Sequence, residues 1–174
     1  MAHAAGRGYR VPEVFEVGAD ALVLERIHGP TMLDDLWRRP WRLSAHAGTL
    51  ARLHRELHEI EAPRELGEGR LLHMDLHPEN VLLSPAGPVV IDWTNARAGD
   101  PALDVAMTWV MGATSGGVPG RLFVRTFLTH FDRAEIRRAL PAAAEIRIAD
   151  ANVTDKEREA VRRLAKQHSV ARSD

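Results

Sequence analysis

The chain predicts an α+β fold: a mostly helical body carrying one short β-hairpin, with two more strands near the N-terminus. Apolar residues recur at helical spacing in segment after segment beyond residue 31. Two β-prone runs, residues 81–83 and 89–91, flank a turn of proline and glycine chemistry at 84–88. A second pair of β-prone runs, 14–17 and 21–25, flanks Gly18-Ala19-Asp20.

The elements follow in order. Residues 1–10 read as the frayed end of a helix. The two N-terminal strands come next. Thr31 with Asp34 three residues later is a capping-box-like helix start, followed by Leu33, Leu36 and Trp37, and Pro40 ends that helix. Over residues 43–60, Leu43, Ala47, Leu50, Leu57 and Ile60 keep a helical period, and residues 63–69 form the loop after it. Asp100-Pro101 is a helix entrance, with Asp as N-cap and Pro in the first turn. Gly116-Gly117-Val118-Pro119-Gly120 reads as a linker that ends this helix, because no strand leads into it as a phosphate-binding loop requires. Leu122, Phe123, Phe127, Leu128 and Phe131 line one helix; Asp132 with Glu135, and Thr154 with Glu157, cap two more. The last helix is charge-rich and reads as a solvated face.

The chemistry concentrates in His73-Met74-Asp75-Leu76-His77-Pro78-Glu79-Asn80 and in Ile91-Asp92-Trp93. Asp75 is positioned to face a hydroxyl. Asn80 and Asp92 flank the hairpin, which brings an amide oxygen and a carboxylate together as hard ligands of the kind magnesium prefers. Phosphoryl transfer needs in-line positioning and cations that neutralise the phosphate oxygens, with little covalent work by the protein. The spacing D-x-x-x-x-N, followed by a hairpin and a strand-end Asp, matches the catalytic segment of protein kinases. Only seven residues separate Asp92 from Asp100, too few for the long segment on which a polypeptide substrate rests, so a small-molecule acceptor is expected. His54 and His58 lie four apart on a helix, the spacing of a two-histidine metal site. No glutamate directly follows the first and no third ligand is near, so helix packing is the reading.

These motifs resemble the aminoglycoside phosphotransferase family, the small-molecule branch of the protein-kinase-like fold. H-x-D-L-H-P-x-N is met in full, I-D-W stands in the D-F-G position, and Gly99-Asp100-Pro101-Ala102-Leu103-Asp104-Val105-Ala106 matches G-D-P-x-x-D-[LV]-A. The resemblance is strongest over 71–109 and extends weakly to 11–60. It implies a large catalytic lobe over 29–174 and a two-strand remnant of the small lobe over 1–28. It also implies ATP (or another nucleoside triphosphate) and magnesium as cofactors, and a small-molecule hydroxyl as acceptor. Asp75, His73 and His77 are the catalytic set by this resemblance, with Asp75 orienting or deprotonating the acceptor and His73 packing the loop. Asn80 and Asp92 hold metal, backbone groups of Glu25 and Ile27 bind adenine, Asp104 anchors the loop backbone, and Trp93 packs as the D-F-G phenylalanine does.

Composition narrows the class further. With 174 residues, no cysteine and a net charge of −1, the chain has one domain's length and no disulfide or thiolate metal site. The balanced charge argues against nucleic-acid or membrane-surface binding, and the lack of a signal or long apolar run makes the cytoplasm the default. The only lysines, Lys156 and Lys166, follow the catalytic motif, and no G-x-G-x-x-G precedes it. A kinase-like enzyme grips nucleotide phosphates with those parts. The expectation is therefore an N-terminally incomplete enzyme of very low activity, self-associating through exposed strand edges. A catalytically silent, pseudokinase-like binding module is the alternative.

Overall fold

The computed structural model of the chain describes residues 1–169. Its elements run α1 (Ala2–Ala5), β1 (Val14–Val17), β2 (Leu22–Leu24), α2 (Met32–Arg38), α3 (Leu43–His58), β3 (Arg70–Leu72), β4 (Val81–Ser84), β5 (Gly87–Val90), β6 (Arg97–Gly99), α4 (Pro101–Thr114), α5 (Gly117–Phe127), α6 (Arg133–Ala149) and α7 (Asp155–Ser169). The strands pair antiparallel as β1–β2, β3–β6 and β4–β5. None of the described helices is long and apolar enough to cross a membrane.

The helical body is built around α4, which is buried without a break from Asp104 to Met111. A helix apolar on all sides belongs in the middle of a core, and α5, α6 and α7 pack around it. The α4–α5 approach is set by glycine. A Cβ on Gly112 would overlap the Val124 side chain, and one on Gly120 would sit 2.6 Å from the Gly112 carbonyl oxygen. The Gly116–Gly120 stretch is thus not only a linker. From Gly117 it is the first turn of α5, and its glycines serve helix contact, which sequence cannot distinguish from chain breaking.

The β3–β6 pair was not expected from the sequence. Its register joins Arg70 to Gly99, Leu71 to Ala98 and Leu72 to Arg97. Strands of three residues carry no readable period, and their pairing depends on segments far apart in the chain. The pair has a positional consequence: β3 delivers the chain into His73, and β6 delivers it to the Asp100 cap, so both ends of the motif segment are clamped together. Within that segment β4 and β5 align Val81 with Val90 and Ser84 with Gly87. Their turn is only Pro85-Ala86, tighter than the five residues expected, because the Ser84 hydroxyl donates to the Gly87 carbonyl at 2.7 Å and draws both residues into the ladder.

Residues 1–10 are not frayed. Ala4 is fully buried, the Tyr9 hydroxyl donates to the Leu53 carbonyl at 3.1 Å, and the Val90 N–H donates to the Arg10 carbonyl at 3.0 Å. The Arg10 guanidinium also bonds the Ala86 carbonyl at the hairpin turn. Residues 1–11 therefore pack with the helical body, and the β1–β2 hairpin stands apart from it. Phe15 and Val17 are 61% and 74% exposed and Leu22 is 56% exposed. The chain returns from β2 under the catalytic hairpin, where the Leu83 N–H donates to the Pro30 carbonyl at 2.8 Å. Gly29 permits that approach, since any Cβ there would collide with the Leu83 carbonyl.

Asp35, passed over in the sequence, ties α2 to α3. Its buried carboxylate accepts from His46 at 2.8 Å and from Arg39 and Arg42 at 3.1 Å each. The His46 hydrogen bond and the two guanidinium groups hold its pKa below the usual carboxylate range.

Candidate active site

The motif loop from His73 to Asn80 hangs from α4. Asp104, itself fully buried, accepts from the His73 N–H at 3.1 Å and from the Met74 N–H at 2.7 Å. One turn on, the Thr108 hydroxyl lies 2.9 Å from the Leu76 carbonyl oxygen. These bonds hold Met74 at φ 66°, a left-handed conformation that costs an ordinary residue about 1–2 kcal/mol. Two histidines of α3 back this suspension. His58 Nε2–H donates to Asp104 at 2.9 Å, and His54 Nε2 lies 3.1 Å from the Thr108 hydroxyl. The pairs 54–108 and 58–104 run in opposite senses, so the two helices cross antiparallel here. The histidine pair therefore has the packing role expected of it. Among the described residues no group of three or more His, Cys, Asp or Glu side chains is arranged to hold a metal.

Burial by itself would raise the Asp104 pKa, but the hydrogen bond from His58 and the neighbouring histidines outweigh it and hold the carboxyl well below its usual range. His54 shows the opposite balance. Burial pushes its pKa down to about 4, with Asp104 opposing. His73 is lowered for the same reason.

Asp75 and His77 face the open side of the loop, with side chains 22% and 27% exposed. His77 Nδ1 accepts from the Glu79 N–H at 3.3 Å, which puts the ring proton on Nε2. That nitrogen lies 3.4 Å from Asp75 Oδ1. Asn80 donates from Nδ2 to the Asp75 carbonyl at 2.9 Å and to Oδ2 at 3.2 Å. Both carboxylate oxygens of Asp75 are thus steered by neighbours. His73, to which the resemblance gives the packing of the loop, is fully buried. Its Nε2–H donates to the Ile91 carbonyl at 3.0 Å, joining the loop to the end of the hairpin.

The Ile91 N–H donates to the Asn80 carbonyl at 3.0 Å, extending the β4–β5 ladder by one rung. Asp92 follows at once, at φ 59°, exposed, with Oδ1 accepting from the Thr94 hydroxyl at 2.8 Å. Asn80 spends its amide hydrogens on Asp75 and keeps its oxygen free. An amide oxygen and an exposed carboxylate at one end of a hairpin form a donor set that fits magnesium, which takes few protein ligands and fills its octahedron with water and substrate phosphates. Trp93 packs between two rings, 4.8 Å from His73 and 5.8 Å from Tyr9, and its indole N–H donates to the Val90 carbonyl at 3.1 Å. Tyr9 carried no sequence signal, because its role depends on the N-terminal segment docking beside Trp93.

The Glu25 N–H donates to the Glu13 carbonyl at 2.8 Å and extends the β1–β2 ladder, while the Glu25 carbonyl accepts no hydrogen bond among the described residues. The Ile27 backbone makes no hydrogen bond among the described residues.

Residues 28–148 match the model of the phosphotransferase enzyme family, APH. The chain belongs to this family. Its fold is correspondingly similar to that of aminoglycoside phosphotransferase APH(4)-Ia: TM-score 0.72 to a thermostable mutant at 16% identity, over 99% of this chain and 82% of that one. A type VIII aminoglycoside-3'-phosphotransferase matches at TM-score 0.56 and 22% identity, over 95% of this chain and 76% of that one. Among curated relatives, the thiamine kinase of Escherichia coli strain SMS-3-5 is 41% identical over 81 residues, 45% of this chain. The thiamine kinase of Salmonella newport strain SL254 is 51% identical over 39 residues, 22% of this chain. The matched stretches span 28% and 14% of those two kinases.

As a member of this phosphotransferase family, the chain hangs its motif loop on a buried carboxylate, and two measurements test that arrangement. Asp104→Ala leaves two buried N–H groups and His58 without an acceptor, and urea unfolding is expected to show a loss of about 3–5 kcal/mol. Folded His54 takes its proton near pH 4 and the unfolded ring near 6.5, so the unfolded chain binds more protons between those values. Stability is complete above pH 6.5 and falls as the pH drops toward 4, by roughly 3 kcal/mol at 1.36 kcal/mol per pKa unit. His73 titrates in the same direction, whereas Asp35 and Asp104 lose their contributions only below the ordinary carboxylate range. Unfolding curves at pH 7 and pH 5 check this, and His54→Gln is expected to flatten the difference.

Proposed function

We propose that this chain carries the acceptor-binding and metal-binding part of an ATP- and magnesium-dependent small-molecule kinase acting in the cytoplasm. The observation that supports this most is the convergence of His77 and Asn80 on the Asp75 carboxylate, at 3.4 and 3.2 Å, beside the hairpin that ends in Asp92. In this reading Asp75 receives the acceptor hydroxyl. The His77 Nε2–H and the Asn80 amide hold the two carboxylate oxygens so that one lone pair is aimed outward. The Asn80 oxygen and the Asp92 carboxylate would hold magnesium, which when bound neutralises charge on the phosphate oxygens. The Glu25 carbonyl and the Ile27 backbone groups are proposed to meet the adenine. The β1–β2 hairpin is proposed as the small-lobe portion beside that hinge.

Support for the nucleotide comes from a related structure: a variant of APH(4)-Ia forms a ternary complex with ADP and hygromycin B. Thiamine is the first acceptor to test, because thiamine kinases supply the curated relatives described above. A second reading, a silent binding module, is favoured by one feature: no lysine precedes residue 156. Without a lysine on the nucleotide phosphates, turnover by this chain is expected to be very low.

Calorimetry with a non-hydrolysable ATP analogue is expected to show binding that requires magnesium and weakens at least about tenfold in Asp92→Ala. Magnesium-independent binding, untouched by that substitution, would contradict the metal assignment. Any phosphorylation of thiamine or an aminoglycoside is expected to fall by about 10²–10⁴ in Asp75→Asn while analogue binding persists. Rapid turnover by the purified monomer would overturn the expectation of low activity.

The exposed apolar residues of β1–β2 are proposed to drive self-association. Light scattering is expected to show a concentration-dependent rise in mass that Val17→Lys with Leu22→Lys suppresses. An unchanged monomer at high concentration would refute it.

A further inference from the structure

A cleft of about 260 Å³ opens where α4, α5, α6 and α7 meet, and none of its lining residues belongs to the motif loop, the catalytic hairpin or the hinge. Its floor is apolar: Trp109 on α4 and Ile136 on α6, both buried. Its rim is cationic. Arg121 and Arg125 come from α5, Arg133 and Arg137 come from α6, and no carboxylate lines the cleft. Among the described residues these four guanidinium groups have no ion pair or hydrogen bond, a state shared by the scattered Arg7, Arg26, Arg38, Arg64, Arg138 and Arg163, and only here do four such groups line one cleft.

Folding alone disfavours this placement. Arg121 with Arg125, and Arg133 with Arg137, are like-charged pairs four residues apart on a helix, which repel. Arg133 opens α6, the end at which a helix carries partial positive charge. General basicity does not explain it, because the net charge of the chain is −1. Local rules broken without a structural return mark functional positions.

We propose that this cleft binds a compact amphipathic organic anion, whose oxyanion end takes the arginines and whose planar apolar body lies against Trp109. Guanidinium forks match carboxylate and phosphate oxygens in bidentate fashion. His168 on α7 packs its ring 4.7 Å from that of Trp109, so both rings contribute aromatic surface to the cleft lining. The volume, just below the roughly 300–1,000 Å³ usual for drug-sized ligands, limits the ligand to a single ring with one charged substituent. This site stands independently of the kinase reading.

The test follows the Trp109 indole N–H by two-dimensional NMR on the full chain, with the signal assigned by Trp109→Phe. Phenyl phosphate, benzoate and inorganic phosphate are titrated separately at constant ionic strength, and the Trp93 indole beside the motif loop reports on the other site. The expected result is a saturable Trp109 shift with phenyl phosphate or benzoate. Which of the two responds identifies the preferred oxyanion. Affinity is expected to exceed that of inorganic phosphate by about tenfold and to fall about tenfold in Arg125→Gln/Arg137→Gln. Those residues are exposed, and relief of repulsion is expected to leave the thermal midpoint unchanged or raised. If the pair fails to fold, each single variant provides the same comparison. The proposal is overturned by no saturable Trp109 shift, by an equal response to inorganic phosphate, by full binding in the arginine variants, or by a shift confined to Trp93.

Discussion

The Asp104 carboxylate is the point on which the candidate site depends. It is a single buried anion that accepts two backbone N–H groups of the motif loop and a histidine of α3. A buried charge is tolerated only when its lone pairs are met by donors, and here they are met by groups that must be held for other reasons. The same bonds that compensate the carboxylate keep Met74 left-handed. That bend turns the chain between buried His73 and half-exposed Asp75. Stability and site geometry are therefore one interaction viewed from its two ends.

Rigidity on the other side of the site comes from the hairpin. The Asn80 carbonyl is locked to Ile91, and the His73 ring to the Ile91 carbonyl, so one residue receives bonds from both the start and the end of the motif loop. Asp92 emerges directly after this knot, in a left-handed conformation that Asp tolerates better than most residues. Trp93 then fills the space between His73 and Tyr9 and seals the loop against the N-terminal segment. A carboxylate and an amide oxygen proposed as cation ligands gain little from proximity unless the backbone that carries them is fixed, and these contacts fix it.

The two ends of the molecule contrast in how they are held. The α4–α6 body is close-packed to the point that glycine is required where α4 meets α5. The β1–β2 hairpin leaves large apolar side chains in solvent and is joined to the rest mainly through the Gly29–Pro30 crossing. A two-stranded sheet with open faces is marginal by itself, so this hairpin is the element whose environment decides its order.

By itself the sequence determined the α+β class, the capped helix starts at Thr31, Asp100, Asp132 and Thr154, the hairpin that follows the motif loop, and the placing of Asp75 and Asn80 in one loop with Asp92 just past the hairpin. Each of these is local: a cap needs one oxygen two or three residues from an amide, and a tight hairpin needs turn residues between two short β-prone runs. The resemblance to a family added the anchoring role of Asp104, which no local pattern contains. Tertiary structure alone decided the rest. The β3–β6 clamp, the docking of Tyr9, the Asp35 cluster and the joining of His58 to Asp104 link residues whose separations carry no period, and whose partners are chosen by packing. His73 shows the limit most plainly. The resemblance assigns it to packing the loop, and only the tertiary structure supplies its partner, the Ile91 carbonyl.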